Sequence, residues 1–355
     1  MMRGRRETSV AKILARVLTL VVGCLALAGI AAAAPASPPR TPVRIEVPSN
    51  TNLQFFTLWV ALGAGFFQQE GLEPTMLVDA NPRGAGGKLL AGSADVAVLQ
   101  PPMFLGMIAE DKPIQLFASL LANEPINLVV RADVAAARKL QTNVSLKERL
   151  EAIRGLKVGV AGEPPPRLRA LFASAGMNAD RDVQLVIIHG PDQVQALADH
   201  QVDALFSHTP YLETALVKYK AVLLVQTSAG EVKELADGQI HALATTRAVA
   251  QEKPDLILKV ARAIYRAQKL IHSDQKATVD AILASNASGQ DRALVEAIAA
   301  VYGPAVPQTP PVSQSGIERA AILFPAHPRA PDFKRVKAAD FIANSFAELA
   351  VAQIH

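Results

Sequence analysis

Short apolar runs alternate with amphipathic stretches along most of the chain, in a strand–helix order. Val43-Arg44-Ile45-Glu46-Val47 alternates apolar and polar at period two and predicts a first strand. Residues 53–70 place Phe56, Val60, Leu62 and Phe66 near helical spacing, and Gly71 closes the run, so one helix is expected there. Strands at 75–78 and 96–99 flank a glycine-rich turn and a short helix ending at Leu90. This β-α-β-α-β run predicts a parallel sheet covered by helices. Strand-like runs follow at 115–121 and 127–130, then a charged helical stretch at 135–152. A second α/β unit opens at Leu156-Lys157-Val158-Gly159-Val160, with a helix from 167 to 175, and further apolar runs lie at 222–225 and 241–245. Beyond them the period is helical, at 254–271, 277–284, 293–301, 315–324 and 333–354.

Two of these stretches share one plan. The first passes from Gly71-Leu72-Glu73-Pro74 through a turn to Leu90-Ala91-Gly92-Ser93-Ala94-Asp95-Val96-Ala97-Val98-Leu99. The second passes from Gly176-Met177 through Gly190-Pro191-Asp192 to Leu197-Ala198 and Val202-Asp203-Ala204-Leu205-Phe206. A proline follows each repeated aspartate by seven positions, Pro102 after Asp95 and Pro210 after Asp203. Two α/β lobes facing each other across a cleft are therefore expected. The first takes residues 43–128 and 241–355, its C-terminal helices wrapping back over it, and the second, 129–240, is inserted. The chain should cross between them near 125–131 and 239–245.

Composition adds a leader to this picture. The 355 residues suffice for two ordinary domains. Arg3, Arg5, Arg6, Lys12 and Arg16 precede an apolar run at 17–30 and small residues at 31–36, the plan of a secretory signal peptide cut after Ala36. A proline-rich linker, 37–42, would follow. An uncleaved membrane anchor fits the length of 17–34, and Val21-Val22-Gly23-Cys24 loosely fits a lipid-acceptor site. The alanine-rich tail and the apolar run continuing past Cys24 favour cleavage. Cys24 is the single cysteine, so a cleaved chain has no disulfide and no thiolate ligand. The leader also holds the whole formal excess of +4, which leaves a near-neutral mature protein without the basic face that nucleic acid requires.

Catalytic and metal motifs fail. The seven histidines show no His-x-His or His-Glu-x-x-His spacing from which a zinc site would start. Gly84-Ala85-Gly86-Gly87-Lys88 is similar to a phosphate-binding loop, yet the leading glycine is misplaced and Leu89 stands where Ser or Thr would hold magnesium. No Gly-x-Ser-x-Gly elbow occurs. No catalytic residue, metal or cofactor is expected.

Binding chemistry is better placed. In open α/β sheets, ligands gather at the carboxyl ends of strands, where helix starts present free N–H groups that favour anions. The turns at 49–55, 81–86, 100–102, 162–167 and 207–211 meet this description. Ser49 and Asn50 are helix caps or ligand contacts with equal claim. Arg167 is the one cation at a helix start on the presumed cleft, and His208 and Tyr211 lie in a loop after a buried strand. Phe55 either stacks on a ligand ring or staples its helix to the core. Asp95 and Asp203 are expected to brace backbone within their lobes, and Pro101, Pro102 and Pro210 to fix backbone shape.

The segment Ala61-Leu62-Gly63-Ala64-Gly65-Phe66-Phe67-Gln68-Gln69-Glu70-Gly71, the two Asp stretches and Leu156-Lys157-Val158-Gly159-Val160, in this order behind a leader, resemble one family. It is that of the solute-binding proteins of ABC importers for sulfonates, taurine, nitrate and thiamine-pyrimidine precursors, and the likeness spans roughly residues 43 to 270. The resemblance implies a two-lobed type II periplasmic-binding fold, each lobe a mostly parallel sheet flanked by helices. It also implies a monomeric periplasmic receptor that closes on a small molecule and delivers it to a membrane permease. Ligand contacts implied by it are Ser49, Asn50, Asn52, Gln54, Gly84, Ala85, Gln100, Pro101, Gly162, Glu163, Ser207, His208, Thr209 and Tyr211. One branch of the superfamily builds the thiamine pyrimidine with a cysteine-rich motif and iron, which a chain without mature cysteine does not match. A receptor rather than an enzyme is expected, with an enzyme on the same fold, such as a relative of that branch, as the alternative. Ligand class stays open: Glu163 suits a nitrogen heterocycle, and scarce aromatics suit a sulfonate or nitrate.

Overall fold

Strand β1 (Thr41–Val47) buries Val43, Ile45 and Val47 completely and is paired on both sides. Its partners are β2 (Leu72–Val78) and β3 (Val96–Leu99), both parallel to it. In the same sheet β10 (Gln239–Thr246) runs antiparallel between β3 and β4 (Ile114–Ala122), which gives the order β2-β1-β3-β10-β4. The second sheet repeats the plan. β6 (Lys157–Val160) lies parallel between β7 (Gln184–Ile187) and β8 (Ala204–Ser207). β5 (Asn127–Val130) runs antiparallel between β8 and β9 (Val222–Val225), so the order is β7-β6-β8-β5-β9. Each sheet is thus mixed, with four strands in one direction and one reversed. The central strands β3, β5 and β8 are buried along their whole length, as helices on both faces require.

This computed structural model describes residues 39–50, 52–79, 84–161, 165–285, 289, 291–324, 332–333 and 335–354. The leader with Cys24, most of the turn after β2, and Gly162 and Glu163 lie outside them. No helix among the described residues is long and apolar enough to cross a membrane.

The sequence echo has a structural cause. Asp95 accepts from the backbone N–H of Arg44 at 3.0 Å, and Asp203 accepts from that of Lys157 at 3.0 Å. Arg44 and Lys157 occupy the same place in β1 and β6, one residue before the first pairing with β3 and β8. Each aspartate thereby ties the start of the central parallel strand to the strand beside it. Asp95 also takes the Arg44 guanidinium and the Lys253 ammonium, both at 3.0 Å. Burial alone would raise its carboxyl, but these partners hold it at about 2.

Three predicted helices are broken. The run at 53–70 is a short turn, Leu53–Phe55, then Phe56–Gly63 and Phe66–Gln69, because Gly65 takes a left-handed conformation (φ 72°). The run at 135–152 becomes Ala132–Ala137 and Leu146–Glu151, the second started afresh by a Ser145–Glu148 capping box. Among the described residues of 333–354 only Asn344–Gln353 is α-helix, since Ile342 is extended and bridges Leu116 of β4.

The C-terminal helices do more than cover the first sheet. Pro254–Ser273, with its buried stripe of Leu256, Val260, Ile264 and Ala267, packs on Phe56–Gly63, as does Gln275–Ala284. Helix Arg292–Tyr302, by contrast, packs on Tyr211–Lys218 of the second lobe. One apolar core consequently runs from Ile45 and Phe56 through Val260 and Ile298 to Leu205 and Leu212. The Tyr302 hydroxyl accepts from the Thr209 N–H at 2.9 Å, and Val301 carbonyl accepts from Gln226 and Ser228 side chains. Beside Tyr302 the Glu213 carboxyl is fully buried, and burial pushes it up to about 7 against the smaller opposing pull of the Thr209 and Tyr302 hydroxyls.

Two tests follow from this packing. A Cβ on Gly63 would lie 1.8 Å from the Ala281 carbonyl oxygen, a backbone atom held in a packed helix. Gly63→Ala should therefore lower stability by about 3 kcal/mol or more, read from the denaturant midpoint. For Glu213, the raised folded value means that its share of stability is complete below pH 4 and is lost as pH climbs through 7. Glu213→Gln should be the more stable protein at pH 8, by roughly 2 to 3 kcal/mol, with the difference shrinking toward pH 4.5.

Candidate functional site

A cavity of about 270 Å³ lies where the carboxyl ends of the parallel strands of both sheets come together. Asn52 and Gln54 enter it after β1, Gln100, Pro101 and Pro102 after β3, Ala161 after β6, His189 after β7 and His208 after β8. The reversed strands bring the rest. β10 begins beside the end of β3, with Ala242 opposite Leu99, which delivers Ile240 and His241. β5 begins beside the end of β8, with Asn127 opposite Ser207, which delivers Pro125 and Ile126. Arg167 projects from helix Pro165–Ser174, and Phe324 follows helix Gln314–Leu323.

Most helix starts near this cavity are already satisfied or lack donors. Helix Pro101–Ala109 opens on two prolines, which carry no N–H. The glycine turn before Leu89 gives its N–H groups to the chain's own carboxylate: Lys88 and Leu89 donate to Glu46 at 3.1 and 2.9 Å. At the third start, the Tyr211 and Leu212 N–H groups donate to the His208 carbonyl. Among the described residues, charge recognition therefore falls to side chains.

Arg167 is the cation in the cavity wall and only 7% exposed. Its guanidinium lies 3.5 Å from Glu124 and 4.5 Å over the Phe324 ring. Glu124 is fully buried; burial raises its carboxyl, while Arg167 and the Ile126 N–H, which donates at 3.2 Å, pull it back. The His208 Nδ1 lies 2.6 Å from the Thr209 carbonyl, which can only accept, so Nδ1 carries the proton and Nε2 is an acceptor. Burial, with the nearby Arg167 charge, pushes the His208 imidazole toward neutral. His241 is 1% exposed, rests against Phe55 at 5.7 Å between ring centroids, and has no partner on either ring nitrogen. Burial and the neighbouring His208 take it down to about 3, so it faces the cavity as a neutral ring with one donor and one acceptor. Amides of Asn52, Gln54 and Gln100 complete a wall able to hold a small polar molecule by charge-assisted and neutral hydrogen bonds. It contains neither hydroxyl nor thiol among the described residues.

Of the residues singled out in the sequence, Asn52, Gln54, Gln100, Pro101, Arg167 and His208 line the cavity. Others stand back from it. The Ser49 hydroxyl accepts from the Asn52 N–H at 3.2 Å, and Asn50 is exposed. Phe55 and Ala85 are core residues, and Gly84 is exposed in its turn. Ser207 and Thr209 are buried within the second lobe. Tyr211 does not line the cavity and sets its ring 5.7 Å from that of His208. Gly162 and Glu163 fall outside the described residues. Pro125, Ile126, Ala161, His189, Ile240, His241 and Phe324 were not anticipated; Pro102 was assigned only a backbone role. A signal did exist for His241 and Ile126, which lie within the expected crossings.

A family model, that of the NMT1-like family, matches residues 37–285, well over half of the chain. The chain belongs to the NMT1-like family. No sequence of a curated protein matches it. Among solved structures, this NMT1-like chain is similar to the alkanesulfonate-binding protein SsuA from Xanthomonas axonopodis pv. citri bound to MOPS. Identity is 18%, over 87% of this chain and 99% of that one, with a TM-score of 0.56. The periplasmic nitrate-binding protein NrtA from Synechocystis PCC 6803 aligns at 14% identity over 90% of each chain, with a TM-score of 0.60. The desulfurization enzyme DszB aligns at 14% identity over 88% of this chain and 99% of that one, with a TM-score of 0.59. The fold of the NMT1-like chain is thus that of periplasmic binding proteins, and it is also the fold of an enzyme.

One consequence of the buried neutral imidazole can be measured. His241 takes up a proton readily only when unfolded, so its share of stability is complete above about pH 6.5 and is lost as pH falls toward 3. Between pH 7.5 and 5, His241→Phe should lose roughly 2 kcal/mol less stability than the wild type, in urea unfolding at the two pH values.

Proposed function

We propose that the protein is the periplasmic substrate-binding component of an ABC importer. It captures a small solute in the cavity between its two sheets and passes it to a membrane permease, acting as a monomer exported by the leader at residues 1–36. The observation that carries this reading is the origin of the cavity wall. Both sheets and both crossings contribute to it, so any change in the angle between the lobes opens or closes the cavity. The wall offers positioning groups, and its contacts are Asn52, Gln54, Gln100, Pro101, Arg167, His208 and His241. The ligand range is sulfonate, nitrate or nitrogen heterocycle, and fold relatives named for binding alkanesulfonate and nitrate support the first two.

A second reading, an enzyme on the same fold, is favoured by the likeness to DszB. One experiment separates the two. Purified protein lacking residues 1–36 is screened by thermal shift against alkanesulfonates, taurine, nitrate, aromatic acids and pyrimidines, and each hit is recovered and examined by NMR. A receptor gains about 2.7 kcal/mol of stability at a ligand concentration one hundred times Kd and returns the ligand unchanged. Consumption of the hit would establish the enzyme instead, and a screen without any stabilising compound would remove the receptor reading.

A further inference from the structure

Glu124 sits in the crossing between β4 and β5, and Arg167 reaches it from the helix that follows β6. Their separation of 3.5 Å is longer than that of a tight, two-pronged arginine–carboxylate pair. One Glu124 oxygen serves both Arg167 and the Ile126 N–H, and the other has no partner although it is buried. The backbone is pinned, since the Glu124 N–H donates to the Leu235 carbonyl of the return crossing at 3.1 Å. The other titratable groups around the pair are His208 after β8, His241 on β10 and, at the exposed rim, His189 after β7. Burial takes His241 down to about 3 and, with the Arg167 charge, pushes the half-buried His208 toward neutral. Among the described residues the formal charge of the cavity is then set by Arg167 and Glu124.

An anion entering this cavity competes with Glu124 for a single guanidinium. One cation cannot neutralise two anions away from water, and the pinned carboxylate has no route to solvent. A carboxylate in that position is relieved by a proton. We propose that the cavity takes an anionic ligand together with one proton: the ligand's anionic group pairs with Arg167, and Glu124 carries the proton. Glu124 is then the residue that admits an anion to a site whose described residues hold no spare positive charge. This rests on the receptor reading of the cavity.

The test is calorimetric titration of the mature protein with ethanesulfonate and nitrate from pH 5 to 9.5 and with acetate at neutral and alkaline pH, in pairs of buffers that differ in ionisation enthalpy, with uracil at neutral pH as an uncharged probe. The expected result is an anion affinity that is level at low pH and then falls up to tenfold per pH unit, with uptake approaching one proton per ligand in the falling range. Glu124→Gln should bind the same anion at least as tightly, with a level pH profile and no uptake. Should that variant fail to fold, infrared difference spectra of the unaltered protein decide, because anion binding must raise the carbonyl stretch of a protonated carboxyl group. Anion binding without proton exchange at any pH overturns the proposal, as does uptake that persists in Glu124→Gln or uptake without a protonated-carboxyl band. If uracil alone binds, the proposal falls and the receptor reading stands; if none of the four binds and the wider thermal-shift screen is also silent, both fall.

Discussion

In each sheet one strand runs against the other four, and the geometry of the site depends on that reversal. β5 and β10 begin where the parallel strands end, so the two crossings between sheets are forced to the level of the cavity. Backbone entering a buried region must find hydrogen-bond partners, and the crossings find them in each other. Asn123 accepts from the Asp237 N–H, Glu124 donates to Leu235, and the Asn127 amide oxygen accepts from the Ser228 N–H and hydroxyl. Gln239, at the first position of β10, donates to Ser119 and to the His241 carbonyl. The cavity floor and the connection between lobes are thus one hydrogen-bonded unit.

Internal groups have taken the places that an anion would otherwise seek. Glu46 occupies the glycine turn after β2, Tyr302 takes the Thr209 N–H, and two prolines open the helix after β3. Among the described residues in the cavity wall the cationic side chain is Arg167, and its carboxylate partner is already buried beside it. A site with this balance distinguishes ligands by how they redistribute charge as well as by shape. Two neutral imidazoles and three amides supply direction without adding charge.

Helix Arg292–Tyr302 gives the second lobe an apolar partner outside its own sheet. Its buried Val295, Ile298 and Tyr302 join a core that also holds Leu205 and Leu212. The lobes are consequently linked in two ways, by the polar crossings under the cavity and by this helix on the side of Tyr211–Lys218. Glu213 lies fully buried at the second link beside Tyr302, and its protonation state bears on the docking of that helix.

The amino-acid sequence by itself determined the strands, because each is a short apolar run bounded by turn residues, and β3, β5 and β9 fall at the expected residues. It determined the paired α/β units too, since Asp95 and Asp203 perform one local task at the same place in each. It revealed Gln100, Arg167 and His208, which follow a strand or open a helix next to one. Helix breaks were harder: Gly65 and Ser145 interrupt stretches whose apolar period continues across them. Phe324 was not legible as a site residue, and His241 and Ile126 only as members of the expected crossings; Ala85 was not legible as core, and for Phe55 the core reading stood beside ligand stacking, because local pattern gives a residue's element but not the neighbours of that element. Only the tertiary structure decided that β10 and β5 are reversed, that Arg167 is buried against Glu124, and that His241 has no partner. Each of these depends on a contact between segments distant along the chain, where burial, rather than residue type, sets charge and hydrogen bonding.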